Sequence, residues 1–284
     1  MLPINRCLRP FRTVSVAGCA SRFVHDASKH ASRKRLLPEF DLSGKVVVVS
    51  GGTRGLGLAQ AQALLEAGAN VHCIDKTLPV DSPSPALTYH EADVRNVHQI
   101  NKVMSKIADD HGRLDGLIAA AGIKNETSAL EFLPDQVENI MSVNVIGTFM
   151  TAQAAARQMI RLKRPGSICL VASMSGSVAN RGMPSSAYNT SKGAVLQLCR
   201  SLAAEWGEHG IRVNTLSPGY ITTEVVQSLL DEFPERRESW SRDNMLNRLS
   251  LPAEYRGAAV FLISDASSFM TGSDLRIDGG HVAW

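Results

Sequence analysis

The sequence predicts an α/β fold, a doubly wound parallel sheet with helices on both faces, in a single domain that begins near residue 41. Short apolar runs alternate with longer segments of helical periodicity along the rest of the 284-residue chain. Strands that alternate with helices form a parallel sheet covered on both faces. Residues 45–50 are the clearest strand, because a nearly continuous β-branched run is typical of a strand buried on both sides.

The remaining elements follow from the same alternation. The first strand leads through a glycine-rich turn into a helix that Gly68 ends, and residues 77–85, with three prolines, predict a loop. The predicted strands are residues 45–50, 71–75, 114–120, 167–172, 211–216 and 273–277. The later helices are predicted at residues 100–110, 134–156, 187–205 and 253–264.

A tyrosine and a lysine four residues apart, Tyr188 and Lys192, lie in the predicted helix 187–205. Side chains at that spacing share one face of a helix. An ammonium group beside a tyrosine favours the phenolate and lowers the pKa of the phenol. A shift from about 10 to about 7 requires roughly 4 kcal/mol, more than one neighbouring cation supplies, so a bound cofactor cation would have to help. Ser173 could donate to a substrate oxygen that the tyrosine protonates.

The turn after the first strand contains Gly51, Gly55 and Gly57 at the spacing Gly-x3-Gly-x-Gly. A strand before the turn and a helix after it form the setting of a dinucleotide-binding loop. Glycines let the backbone approach a pyrophosphate, which then lies at the N-terminus of the helix. We therefore predict that this turn binds phosphate.

Polar and small residues follow the ends of the predicted strands. In sheets of this kind, ligands bind beyond the carboxyl ends of the strands. We therefore expect one cleft to be lined by Gly51, Asp75, Asp93, Ala121, Ser173 and Pro218.

Taken together, the ordered motifs resemble those of the short-chain dehydrogenase/reductase family, which has a Rossmann-type fold. The resemblance covers roughly residues 41–284, with Ser50 where threonine is usual. The motifs are Ser50-Gly51-x3-Gly55-x-Gly57, Asp93-Val94, Asn144, Ser173, Tyr188-x3-Lys192, Pro218-Gly219-x-Ile221-x-Thr223 and Asp278-Gly279-Gly280.

The resemblance implies an NAD(P)-dependent alcohol dehydrogenase or carbonyl reductase that needs no metal. Tyr188 is then the general acid or base, and Lys192 lowers its pKa and binds the nicotinamide ribose. Ser173 binds the substrate oxygen, and Asn144 holds a water that passes protons to Lys192. The implied cofactor-binding residues are Gly51, Thr53, Arg54, Gly55, Leu56, Gly57, Asp75, Asp93, Val94, Ala121, Gly122, Tyr188, Lys192, Pro218, Gly219, Ile221 and Thr223.

One motif departs from the family pattern. The family has Asn-Asn-Ala-Gly where this chain has Ala119-Ala120-Ala121-Gly122. The family's asparagine helps to stabilise the central sheet, so that role must be filled differently here or lost. The departure does not touch the residues expected to carry catalysis.

Asp75 favours NAD over NADP. A carboxylate at the end of the second strand binds the ribose hydroxyls of NAD and repels the 2′-phosphate of NADP. Arg54 in the glycine turn and Lys76 beside the aspartate are the evidence for NADP. We expect NAD, with NADP as the alternative.

The composition is that of an ordinary soluble globular chain, with 44% hydrophobic and 20% charged residues. No run of about 18 apolar residues predicts a transmembrane helix, and we expect neither a membrane nor a nucleic-acid partner. The five cysteines show no metal-binding spacing and no disulfide framework.

Residues 1–40 differ in kind from the rest. They carry eight basic residues against Asp26 and Glu39, whereas residues 41–284 carry 22 basic and 25 acidic residues. A basic, acid-poor leader that contains serine and alanine is typical of a mitochondrial targeting segment. Arg22-Phe23-Val24 resembles a matrix-protease cleavage context. We expect a matrix location and a leader of about 24 residues, with a cytoplasmic location as the alternative.

The substrate is predicted from the region after Thr223. Residues 224–249 form the family's variable lid and here carry four arginines, Phe233 and Trp240, which favours a polar substrate. The segments around Ser173, Tyr188 and Pro218 resemble fungal-type polyol and ketose reductases such as the mannitol, arabinitol and xylulose enzymes. A 3-oxoacyl thioester reductase is the alternative activity. A non-catalytic NAD-binding subunit of a mitochondrial assembly is the alternative from another class.

The expected assembly is a homotetramer. Members of the family pair through the two helices that flank the active site, here residues about 135–160 and 187–206. Their small and aliphatic side chains would leave an apolar patch on a monomer. These side chains are Ala152, Ala154, Ala155, Ala156, Met159, Ala194, Leu198, Leu202 and Ala203. We expect residues 282–284 to lie near a second interface.

Overall fold

The sheet of the computed structural model, which describes residues 37–79 and 86–284, has seven strands within those ranges, and all of them are parallel. Their spatial order is β3-β2-β1-β4-β5-β6-β7. The order reverses between β1 and β4, so the prediction of a doubly wound parallel sheet is confirmed. The strands are β1 (Val46–Ser50), β2 (Asn70–Asp75), β3 (Thr88–Glu91), β4 (Gly116–Ala119), β5 (Gly166–Val171), β6 (Ile211–Pro218) and β7 (Asp274–Ile277).

Helices cover both faces of the sheet, as predicted. A π-helical turn at Ser142–Gly147 joins the third helix to the fourth, so the predicted helix 134–156 is a continuous run with one widened turn. The helices are α1 (Gly55–Glu66), α2 (Val97–His111), α3 (Pro134–Met141), α4 (Thr148–Arg161), α5 (Ser186–Trp206), α6 (Glu224–Glu232), α7 (Glu235–Arg242) and α8 (Arg256–Ile263).

Strand β1 shows how the core is divided between the two faces. Val46 and Val48 point to the core under α2, α4 and α5, whereas Val47 and Val49 point to the core under α1 and α8. All four valines are at most 1% exposed. Because successive side chains of a strand alternate between faces, a strand covered on both sides must be apolar at every position.

Strand β3 is absent from the sequence-based prediction. It forms the edge of the sheet beside β2, and its residues are Thr88, Tyr89, His90 and Glu91. A polar edge strand carries no continuous apolar run, which is the signal that identified the other strands. Residues 80–85 of the predicted loop and residues 1–36 of the predicted leader lie outside the described residues. The last residues of the leader are described, and Pro38–Phe40 form a short 3-10 helix. The 40/41 domain boundary stays a prediction.

The helical residues expected at an oligomer interface are mostly core. The four alanines and the methionine named on α4 are at most 2% exposed and pack within the core beneath α2, α4 and α5. Leu202 and Ala203 of α5 are buried in the same core, whereas Ala194 and Leu198 are partly exposed. The premise that these α4 residues would form an apolar patch on a monomer is therefore wrong.

The carboxyl ends of the strands open onto one side of the sheet. Gly51, Asp75, Asp93, Ala121, Ser173 and Pro218 all lie at these ends or within two residues of them, as predicted. Within the described part of the chain, no helix combines the length and apolarity needed to cross a bilayer.

Candidate active site

The glycine turn is packed too tightly to admit side chains at two positions. Gly51 has a φ of +70°, and its N–H donates to the carbonyl of Ile74 at 2.8 Å. A Cβ on Gly51 would lie 2.8 Å from the backbone of Ala121, and one on Gly57 would lie 2.1 Å from the carbonyl oxygen of Gly51. The turn therefore lies against β2 and the segment after β4, and α1 begins directly beyond it at Gly55.

A smaller chamber of about 260 Å³ lies beside this turn. It is lined by the turn, by the ends of β2 and β4, and by residues 92–95. At its edge, Thr53 Oγ1 donates to Asp75 Oδ2 at 2.6 Å, and the Lys76 N–H donates to Asp75 Oδ1 at 2.9 Å. These two bonds hold the Asp75 carboxylate at the end of β2.

Asp93 and Val94 close another side of the smaller chamber. Arg95 donates to Asp93 from its backbone N–H at 2.9 Å and from Nη2 at 2.6 Å, and this side-chain bond lowers the pKa of the Asp93 carboxyl. Val94 packs so closely on the π-helical turn that a Cβ on Gly147 would lie 2.7 Å from Val94 Cγ2. The Asp93-Val94 pair is thus fixed by an ion pair on one side and by packing on the other.

A larger chamber of about 930 Å³ adjoins the smaller one, and both are lined by Arg54, Leu56, Gly122 and Ile123. Three expected catalytic side chains line it, namely Ser173, Tyr188 and Lys192. The segment from Pro218 to Thr223 lines it as well. A Cβ on Gly219 would lie 2.7 Å from Asp278 Cα, so this segment lies directly against the C-terminal motif.

Lys192 is held by the backbone of β5. Its Nζ donates to the carbonyl of Val171 at 2.7 Å and lies 5.7 Å from the centre of the Tyr188 ring. Burial lowers the pKa of Lys192 to about 8. Burial raises the pKa of the Tyr188 phenol, and a hydrogen bond with Ser173 offsets this in part.

Asn144 is fully buried in the π-helical turn and lines neither chamber. Its Oδ1 accepts from the Ile123 N–H at 2.8 Å, and its Nδ2 donates to the Ile123 carbonyl at 2.9 Å and to Ser191 Oγ at 3.0 Å. The amide therefore clamps the chain just after β4 to α5. This geometry supports a positioning role for the side chain, and the expected water relay stays a prediction.

Nearly all of the sequence-predicted residues meet in the two chambers. The exceptions are Asn144 and Thr53, which support the walls from behind. Ala120 stands in the motif where the family has asparagine. A backbone link between this segment and β1 remains, because the Ala120 N–H donates to the Ser50 carbonyl at 3.1 Å.

Sequence reasoning missed Lys124 and Glu126, which form a charged group in the larger chamber with Arg236, one of the four arginines of the predicted lid. Lys124 Nζ donates to Glu126 Oε1 at 3.1 Å, and Arg236 Nη1 donates to Glu126 Oε2 at 2.8 Å. Lys124 Nζ also lies 2.7 Å from Met183 Sδ, and burial lowers its pKa. We call Lys124, Glu126 and Arg236 the charged clamp. Lys124 and Glu126 lie in the segment that follows β4, and this position beyond a strand end is the sequence signal that indicates them.

An aromatic pair supports the clamp. Tyr220 and Trp240 stack with ring centres 4.8 Å apart and planes 9° from parallel. The Trp240 ring lies 5.8 Å from both Lys124 Nζ and Arg236 Cζ, so it faces the two cations. The packing of Trp240 against Met183 and Leu230 joins α7 and α6 to the segment before α5.

Comparison with known proteins identifies the family to which this chain belongs. The family model described as enoyl-(acyl carrier protein) reductase matches residues 51–281. The chain belongs to the short-chain dehydrogenase/reductase family. It is therefore an NAD(P)-dependent oxidoreductase that acts on CH–OH or carbonyl groups of small molecules, and the resemblance seen in its motifs is confirmed.

Its relatives include fungal enzymes. The short-chain dehydrogenase/reductase notP′ of Aspergillus versicolor is 40% identical over 86% of this chain and 89% of its own length. The ribulose-forming D-arabinitol 2-dehydrogenase of Candida tropicalis is 35% identical over 91% of this chain and all of its own length. An L-xylulose reductase of Hypocrea jecorina is 36% identical over 91% of this chain and 97% of its own.

Solved structures of relatives have the same fold. The structure of gox2181 matches with a TM-score of 0.82 and 35% identity, over 87% of this chain and 98% of that one. A gluconate 5-dehydrogenase from Burkholderia cenocepacia, in complex with NADP and tartrate, matches with a TM-score of 0.80 and 31% identity over the same shares.

The residues of this enzyme fit a nicotinamide dinucleotide. Gly51 and Gly57 lie in contact and carry no side chains, so backbone atoms are presented at the N-terminus of α1. A pyrophosphate requires such a backbone surface in order to bind there. Asp75 and Asp93 line the smaller chamber, and the segment from Pro218 to Thr223 lines the larger one. The continuity of the two chambers allows one extended ligand to reach from Asp75 to Tyr188.

Proposed function

We propose that this enzyme interconverts a polyol and its ketose, with NAD as the favoured cofactor. The observation that carries the proposal is that Ser173, Tyr188 and Lys192 share one chamber with the charged clamp. Hydroxyl-rich substrates need many donors and acceptors, which an apolar acyl chain does not. The buried Oδ1 of Asn125, in the same chamber wall, has no partner within the described residues and is a further acceptor.

The reaction is divided between two residues, Tyr188 and Ser173, and the cofactor. When bound, NAD(P) supplies or accepts the hydride at its nicotinamide ring. Tyr188 donates a proton to the carbonyl oxygen in the reductive direction and accepts it in the oxidative direction. Ser173, already hydrogen-bonded to the phenol, donates to the same oxygen as negative charge develops there.

Lys192 and Asn144 support this proton transfer. Lys192, with its pKa lowered to about 8, stands beside the tyrosine ring and has further N–H donors for the nicotinamide ribose. Asn144 fixes Ile123 and α5, so it holds Gly122 and Lys192 in register. A Cβ at Gly122 would lie 3.4 Å from Asn144 Oδ1 and 3.6 Å from Lys192 Nζ, which shows how closely the three residues converge.

The names of the relatives agree with this substrate class. Two are described as acting on arabinitol and xylulose, and a third, from Rhizobium johnstonii, as a galactitol 2-dehydrogenase. The test is to measure kcat/KM on a panel of pentitols, hexitols, ketoses and 3-oxoacyl thioesters with NADH, NADPH and their oxidised forms. We expect a polyol or ketose to be the best substrate. Turnover of the thioesters alone would contradict the proposal.

Asp75 supports NAD as the cofactor. Its carboxylate is held in place by Thr53 and the Lys76 backbone and would repel a 2′-phosphate. NADP is the second candidate, because the side chains of Arg54 and Lys76 line the same smaller chamber. The kcat/KM values for the two cofactors decide between them.

We also infer a mitochondrial matrix location from the basic leader. Residues 1 to about 24 fused to a fluorescent reporter should direct it to mitochondria, and N-terminal sequencing should find the leader removed. A reporter that stays in the cytoplasm, with Met1 or its successor intact on the working enzyme, would support the cytoplasmic alternative.

We still propose a homotetramer, although less apolar surface is exposed than the composition of the two helices predicted. Ile146 is 53% exposed just before α4, and Leu198 of α5 is partly exposed, so some apolar surface remains at the expected interface. At the C-terminus, Trp284 is 75% exposed. Light scattering should give a mass near four chains. A stable mass near one chain at micromolar concentration would contradict the proposal.

A further inference from the structure

The charged clamp forms part of the wall of the larger chamber. Its three members come from two distant segments, with Lys124 and Glu126 after β4 and Arg236 on α7. All three side chains are partly buried and line the larger chamber. Each oxygen of Glu126 accepts from a different cation. The carboxylate therefore pairs both cations at once.

The clamp offers both kinds of hydrogen-bonding group. A carboxylate has about four lone-pair sites, and Glu126 uses one on each oxygen within the clamp. Lys124 and Arg236 also keep N–H groups beyond those bonded to Glu126. A hydroxyl donates one bond and accepts others, so a chain of neighbouring hydroxyls matches a wall on which donors and acceptors alternate.

The charge of Glu126 acts against anionic substrates. Without it, two cations with no carboxylate between them would line the chamber, and such a pair is a ready site for a carboxylate. With it, an incoming carboxylate meets cations that are already paired and a like charge between them. Glu126 therefore makes Lys124 and Arg236 a less favourable binding site for the carboxylate of a substrate.

We propose that Glu126, by pairing Lys124 and Arg236, makes this chamber selective for neutral polyhydroxylated substrates over sugar acids. The inference rests on the proposed polyol/ketose function and narrows it. A relative described as a gluconate 5-dehydrogenase is named for a substrate that carries a carboxylate, which is the class of substrate that this clamp would disfavour.

The test compares D-gluconate and D-sorbitol as competitive inhibitors of the ketose reduction that the wild-type enzyme performs best. The two ligands have the same chain length and differ by a carboxylate in place of a hydroxymethyl group. Glu126→Gln should lower the ratio of the gluconate Ki to the sorbitol Ki by at least about tenfold, or roughly 1.4 kcal/mol. Glu232→Gln is the matched control, because it removes the same charge from the wall of the same chamber without touching the clamp. It should change the ratio by less than about threefold, or roughly 0.6 kcal/mol.

A second variant predicts the opposite sign and covers the case in which Glu126→Gln fails to fold. Arg236→Gln removes a cation and leaves Glu126, so it should raise the ratio of the gluconate Ki to the sorbitol Ki. Equal ratios in wild type, Glu126→Gln and Arg236→Gln would overturn the inference and leave the proposed function standing. A wild-type enzyme that reduces no ketose and oxidises no polyol would overturn the proposed function, and this inference with it.

Discussion

The two chambers of this enzyme are built in different ways. The smaller chamber is lined mainly by short segments at strand ends or just after them, and backbone contacts such as Gly57 against Gly51 shape it. The larger chamber is closed by side chains from remote segments, including the charged clamp and Trp240. Its walls depend on which side chains meet, whereas those of the smaller chamber depend on where the backbone turns.

This difference predicts where changes in sequence will alter the enzyme. A backbone-shaped wall accepts few substitutions, because a single added methyl group meets main-chain atoms. A wall made by side chains is open to exchange, so substrate choice varies while the cofactor site stays. The following predictions test that contrast, from the largest expected effect to the smallest.

Removing the phenol oxygen of Tyr188 should have the largest effect, because it should impair catalysis in the larger chamber and leave cofactor binding nearly unchanged. Tyr188→Phe removes the proton donor and should lower kcat by about 10³-fold, within the range that general acid–base catalysis supplies. The cofactor Kd, measured by nucleotide fluorescence quenching, should change less than about threefold, or roughly 0.6 kcal/mol. A variant that keeps full kcat would show that Tyr188 is not the acid.

A methyl group added at Gly57 should disrupt the backbone turn that shapes the smaller chamber. In Gly57→Ala the new Cβ would lie 2.1 Å from the Gly51 carbonyl oxygen, so the turn must open. We expect the free energy of unfolding to fall by about 2 kcal/mol and cofactor binding to weaken markedly. Gly257→Ala in α8 is the control, because a Cβ there meets no atom within 4 Å. Urea unfolding and cofactor titration of both variants provide the measurement, and equal behaviour would contradict the packing argument.

A charge change should alter cofactor choice without breaking the smaller chamber. Asp75→Ser removes the carboxylate that Thr53 holds and should raise the NADP/NAD ratio of kcat/KM by at least about tenfold, or roughly 1.4 kcal/mol. Thr53→Val should move the ratio in the same direction by less, because it leaves the carboxylate in place and removes only its hydrogen bond. An unchanged ratio in Asp75→Ser would mean that the carboxylate lies away from the ribose.

The smallest effect concerns the strand that carries Asp75. His72 of β2 has both ring nitrogens 3.0 Å from other imidazoles, those of His90 and His111. Burial, with these two neighbours, lowers the pKa of His72 to about 4, while Asp110 acts weakly in the other direction. The folded chain thus binds fewer protons than the unfolded chain, so stability should fall as the pH drops from about 6.5 towards 4.

Between pH 7 and pH 5 this loss should be about 1 kcal/mol, after allowance for solvent screening. Urea midpoints of wild type and His72→Gln at the two pH values provide the test, because the variant lacks this titration. An equal pH dependence in both proteins would show that His72 is not its source.

The residues of the smaller chamber could be predicted from the sequence alone. The run Val46–Val49, the glycine spacing and Asp75 at a strand end all follow from local rules, since burial on two faces and backbone curvature act over a few residues. The same rules missed β3, whose polar residues join the sheet only because β2 offers an unpaired edge.

The tertiary structure decided the substrate half and the energetics of the tyrosine. Glu126 and Arg236 are 110 residues apart, and no periodicity relates them, so only the packing of α7 over the strand ends shows that they pair. Likewise, the spacing of Tyr188 and Lys192 was evident from the sequence, but the Val171 carbonyl that binds the ammonium was not. Local patterns determine where the backbone goes, whereas pKa values and substrate choice depend on desolvation and on partners that only the folded chain brings together.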